Sequence, residues 1–94
     1  MIIGVVEIEL FIPHASSLKS KRGVVKSIKD RIRHQFNVSI SEVGYQDKWQ
    51  RCALAIVTVS TTQKYANQQL DKVRLFFDRV YDVHKEVIYK NSID

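Results

Sequence analysis

Residues 51–60 read Arg51-Cys52-Ala53-Leu54-Ala55-Ile56-Val57-Thr58-Val59-Ser60. The run is apolar on both parities, the pattern of a strand at the centre of a sheet. A short polar turn, Gln46-Asp47-Lys48, lies just before it. Upstream of that turn Val38 and Ile40 alternate with serines, a second strand running to about Tyr45. Downstream, Thr61 and Thr62 offer a cap for a helix whose apolar stripe is Ala66, Leu70, Val73, Phe77 and Val80. Further out, residues 2–12 alternate cleanly until Pro13. Val6, Ile8, Leu10 and Ile12 share one side, and Ile3, Val5, Glu7, Glu9 and Phe11 the other. Ser16 and Ser17 can cap a helix over 18–36, striped by Leu18, Val25, Ile28, Ile32 and Phe36. Residues 83–90 alternate again, with Val83, Val87 and Tyr89 expected on one side.

The order is β-α-β-β-α-β. Two right-handed crossovers in that order predict a ferredoxin-like α+β sandwich, a four-stranded antiparallel sheet with both helices on one face. The length, 94 residues, fits one domain spanning 1–94. The open sheet face would carry Ile3, Val5, Phe11, Ala55, Val57 and Val59. So apolar a face predicts a homodimer or another protein partner packed against it.

The charge is local. The chain has 15 Lys and Arg against 10 Asp and Glu, a net +5. Seven of those cations fall in the first helix: Lys19, Lys21, Arg22, Lys26, Lys29, Arg31 and Arg33. Only Asp30 opposes them, so that segment alone carries +6 and the rest of the chain −1. On a helical wheel Lys19, Arg22, Lys26, Lys29 and Arg33 occupy one band about 80° wide. The other exposed flank (Ser20, Gly23, Ser27, Asp30, His34) is nearly neutral. Lys19, Lys21 and Arg22 also sit in the first turn, where the helix dipole disfavours cations by about 0.3–1 kcal/mol each. A bound anion would resolve that conflict, held by the backbone amides near 17–20, the Ser16 and Ser17 hydroxyls and those cations. The pattern predicts binding to phosphate or to a nucleic-acid backbone through Ser17, Lys19, Lys21, Arg22, Lys26, Lys29 and Arg33, the alternative being a solvated face of flexible lysines. Base stacking on the central strands is disfavoured: residues 51–60 contain no aromatic side chain, and Glu7 and Glu9 put negative charge on the open face.

Other chemistries lack their residues. One cysteine, Cys52, cannot form an internal disulfide, and its apolar run predicts burial. His14, His34 and His84 are dispersed, so no metal site is expected. Gly4, Gly23 and Gly44 form no phosphate loop, and no cofactor is expected. The apolar N-terminus lacks a positive leader and is broken by Glu7 and Glu9, which predicts a cytoplasmic chain. No nucleophile–base pair can be picked out, so no catalytic residue is assigned and no enzyme is expected. The segment Glu42–Arg51 holds the only Trp with Tyr45, Gln46, Asp47, Gln50 and Arg51 around it. Trp49 closing one end of the core and Asp47 organising the turn would explain it structurally. Trp49 and Arg51 are alternatively partner contacts, being residue types that dominate interface energetics.

Ser-Leu-Lys-Ser-Lys-Arg at 17–22, Phe-Asn-Val-Ser-Ile-Ser-Glu-Val at 36–43 and Gln-Asp-Lys-Trp-Gln-Arg at 46–51 together resemble the YlxP-like family of small bacterial proteins. The resemblance covers nearly the whole chain. It implies a ferredoxin-like fold, a cytoplasmic bacterial protein and no established enzymatic activity. Members are often encoded beside transcription and translation factors, which implies a role in ribosome or RNA metabolism. Two positions depart from the family pattern. Gly23 stands where a basic residue is typical, and Cys52 where alanine is usual.

Overall fold

The computed structural model describes residues 1–92, with side chains as far as His84. Its elements are β1 (Ile2–Phe11), α1 (Leu18–Gln35), β2 (Ser39–Gly44), β3 (Arg51–Ser60), α2 (Gln63–Val80) and β4 (Asp82–Ser92). They form the α+β sandwich expected from the order of elements, with one antiparallel sheet in the order β2-β3-β1-β4.

Alternation decides which side of the sheet is covered. β1 pairs with β3 from Ile2↔Ser60 to Phe11↔Arg51 without a break. Val6, Ile8 and Leu10 on β1, with Cys52, Leu54 and Ile56 on β3, are buried on the helix side. Burying such a side chain fully is worth about 1.5–3 kcal/mol. They meet Val25, Ile28 and Ile32 from α1 and Leu70, Val73 and Phe77 from α2. Both helices start where the hydroxyl pairs predicted. Ser17 Oγ accepts from the Ser20 amide at 3.0 Å, and Thr62 Oγ1 accepts from the Tyr65 amide at 3.2 Å. Gly4 lets α2 close on β1: a Cβ there would lie 2.9 Å from Leu70 Cδ1. Val80 leaves the expected stripe and is 44% exposed. Tyr81, the residue that ends α2, packs against Phe77 instead, with ring centroids 5.5 Å apart.

Two bulges interrupt the edges of the sheet at one level. Glu9 pairs with Lys85 but Leu10 with Val83, which leaves His84 as the extra residue. Glu42 pairs with Leu54 but Gly44 with Ala53, which leaves Val43 extra. Glu9 and Gly44 flank Ala53 on the same rung, so both outer strands twist away there. The β4 bulge puts Val83 in register with core-facing Leu10. The expectation that Val87 and Tyr89 share a side with Val83 lies outside the residues whose side chains are described.

Candidate functional site

The first turn of α1 and the β2–β3 hairpin are tied together by one buried cation. Lys21 is 1% exposed, a charged residue among the largest fully buried side chains of the described residues. Its Nζ lies 3.0 Å from Glu42 Oε2 and donates to the Tyr45 carbonyl. Glu42 Oε2 makes an ion pair with that ammonium but takes no directed hydrogen bond. Lys21 therefore stands apart from the other cations predicted to hold phosphate: its charge is spent inside the molecule. It also answers the first-turn conflict, because the anion beside it is Glu42 of β2.

The clamp holds an unusual backbone. Tyr45 has φ 59°, the left-handed region, without being glycine or asparagine. For a bulky residue this costs on the order of 1–3 kcal/mol and persists only where neighbours over-determine it. Four contacts do so here. The Tyr45 carbonyl accepts from both the Lys48 amide, at 3.0 Å, and Lys21. The Tyr45 hydroxyl donates to Glu9 Oε1 at 3.4 Å. The Arg51 guanidinium lies 4.4 Å from the Tyr45 ring centroid. Arg51 also pairs with Glu9 Oε2 at 3.4 Å and sits 5.7 Å from the Phe11 ring. Gln50 fastens the hairpin to the loop before α1. Its Nε2 donates to the Pro13 and Ala15 carbonyls at 3.3 and 3.4 Å, and its own carbonyl accepts from the Ile12 amide at 2.8 Å.

Trp49 does not close the core, for it is 52% exposed. Nor is Asp47 the turn's organiser: the turn is closed by the Lys48 amide on the Tyr45 carbonyl. Trp49 lines a shallow concavity of about 650 Å³ with Phe11, Asp47, Lys48, Gln50 and Arg51.

The remaining cations of α1 lie on its solvent side. Lys19, Arg22, Lys26 and Arg33 are exposed and Lys29 is half-buried. Asp30 partly neutralises the far end, pairing with Lys26 at 3.3 Å and Arg33 at 4.0 Å. Arg33 also donates to the Ile40 carbonyl at 3.1 Å, which fixes it against β2. Arg31 is engaged elsewhere, donating to the Tyr81 hydroxyl at 3.0 Å beside the Phe76 ring. Lys19, Arg22 and Lys29 take no ion pair among the described residues. At Ser17 the hydroxyl oxygen already accepts from the Ser20 amide, so that amide is not offered to an external anion.

Cys52 lies beside the Lys21–Glu42 pair and is fully buried. Burial, and then the Glu42 charge, push its thiol up from 9.0 to about 11. A thiol that stays protonated is a poor nucleophile. The native protein is expected to resist iodoacetamide at pH 8 and to react once unfolded; rapid labelling of the folded form would contradict this. The raised value also sets a pH sign. The unfolded chain loses the Cys52 proton above about pH 9 and the folded one only near 11, so this group weakens the fold as pH rises between them.

Among the described residues no helix is long and apolar enough to cross a membrane. No group of three or more His, Cys, Asp or Glu among them could hold a metal ion. These features define an α+β sandwich with a cationic helix, buckled to its hairpin by an internal lysine. The chain belongs to the family described as "Protein of unknown function (DUF503)", whose model matches residues 3–88. It is also 42% identical over 85 residues to the "Uncharacterized protein YlxP" of Bacillus subtilis (strain 168), covering 90% of this chain and 92% of that one. The YlxP-like resemblance read from the three motifs is thereby shown. Lys21 of the first motif meets Glu42 of the second, while Gln50 and Arg51 of the third reach Pro13 and Glu9.

Proposed function

We propose that this protein is a non-enzymatic, cytoplasmic RNA- or ribosome-associated protein that holds phosphate backbone with the solvent side of α1. The observation that carries the reading is charge segregation. Lys19, Arg22, Lys26, Lys29 and Arg33 share one side of the helix, and Asp30 is the only carboxylate of that helix. The exposed Lys26–Asp30 pair is worth at most about 0.5 kcal/mol, so a phosphate can displace it. Such binding is electrostatic and indifferent to sequence. The test is the affinity for a short RNA between 50 and 200 mM salt. Five engaged cations predict a fall of roughly 100- to 500-fold. Absent or salt-independent binding would overturn the reading.

A second reading rests on the open sheet face. β1–β3 register sets Ile3 and Val5 beside Val59 and Val57 there, and Val59 is 57% exposed. A second copy packed on that face would cover them. Light scattering is expected to show a dimer that Val59→Asp dissociates; a monomer at high concentration removes this reading.

A further inference from the structure

We infer that the concavity beside Trp49 receives an unpaired base of single-stranded RNA whose phosphates lie on the start of α1. The inference rests on the phosphate-binding reading and names the form of RNA and a second contact.

Several observations point to this spot. Trp49 is half exposed, in a hairpin whose backbone is held in a costly conformation by Lys21, Glu9 and Arg51. Strain kept in place by so many contacts is a device for fixing position. Both edge bulges meet the Glu9–Ala53 rung, two rungs from Phe11 and Arg51. The concavity, about 650 Å³, is within the range of small-ligand clefts. Its walls carry flat surfaces for stacking. Phe11 is 37% exposed and is backed by His84, ring centroids 4.7 Å apart. Arg51 offers a guanidinium plane held in place by Glu9.

The charge selects the occupant. Arg51 is balanced by Glu9, and Lys21 by Glu42. Lys19, Arg22 and Lys48 take no ion pair among the described residues, and Asp47 is the one carboxylate of the 46–51 segment. The first turn of α1 is joined to the hairpin through Lys21, and the loop before α1 through Gln50, so Lys19, Arg22 and Trp49 belong to one end of the molecule. Aromatic faces beside excess cations match a base attached to its phosphates. A duplex, with its bases stacked inside, reaches the cations but not the concavity.

Trp49 is the only tryptophan, so its emission reports this site alone. The wild-type chain is titrated with end-labelled oligoadenylate and with a duplex of equal length, following RNA anisotropy and Trp49 emission together. The single strand is expected to quench Trp49 and the duplex to leave it nearly unchanged. Trp49→Ala should weaken single-strand binding roughly 5- to 150-fold while sparing the duplex, and Trp49→Phe should restore much of the loss. If RNA binds without changing the emission, or if Trp49→Ala spares single strands, the base site is overturned and the phosphate surface stands. An equal loss for single strand and duplex also overturns the base site. Binding of neither form overturns both. Emission that responds to a protein partner and not to RNA assigns the concavity to protein contact instead, and overturns the base site as well.

Discussion

Lys21→Ala is expected to destabilise the fold by about 3 kcal/mol, the lower end of what breaking a buried ion pair costs. For a domain of this size that is a fall in Tm of roughly 12–24 °C. The reason is what remains behind. The Lys21 ammonium is buried, and without it Glu42 keeps a charge with only a fifth of its side chain in water. The Tyr45 carbonyl loses one of two donors while its backbone is still held at φ 59°. The Lys21→Met, Glu42→Leu pair removes both charges together and should recover most of the loss. Thermal melts followed by circular dichroism check both variants. An alanine variant melting like the wild type would mean that the clamp does not hold the hairpin. The double variant also tests where Lys21 acts. Its charge faces Glu42 and not solvent, so RNA affinity should stay near the wild-type value. A large loss there would return Lys21 to the phosphate surface.

Much of the fold was legible because alternation and caps are local signals. The all-apolar run 51–60, the even-numbered side of β1 and the hydroxyl pairs before each helix carry the element order without knowledge of contacts. The bulge at His84 was not legible, because nothing local marks an extra residue in a strand that still alternates. The fate of Lys21 was written in the sequence in a weaker form. With Val25, Ile28 and Ile32 it completes a 4, 3, 4 spacing along the buried stripe. Counting it with the cations by its charge, and not with the core by its angle, hid this. Glu42 likewise shares the inward parity of Ile40 on β2. A cation on one buried stripe and a carboxylate on the facing one form a readable pair, but only once α1 is known to lie over β2. Tyr45 gave no such signal, since a left-handed tyrosine is set by tertiary contacts and not by propensity.

The same angle logic makes the cationic side of α1 testable against simple net charge. Replacing Lys19, Arg22 and Lys26 together with alanine is expected to weaken RNA binding roughly 100- to 500-fold at 0.1 M salt, and to lower the salt slope by about 2–3. Lys64, Lys72 and Arg79 are exposed on α2 and supply the control, since their removal takes away the same formal charge. Filter binding over a salt series separates the two triples. If they lose equally, affinity follows the overall +5 and no surface is singled out. If only the α1 triple loses, the phosphates lie along that helix. Stability should hardly move in either, because exposed substitutions stay within about 0.5 kcal/mol. Removing Lys19 even relieves its unfavourable position in the first turn of a helix dipole. That opposition is what makes the triple informative: cations kept where they cost the fold a little, and lost with large effect only when RNA is present, are there for the RNA.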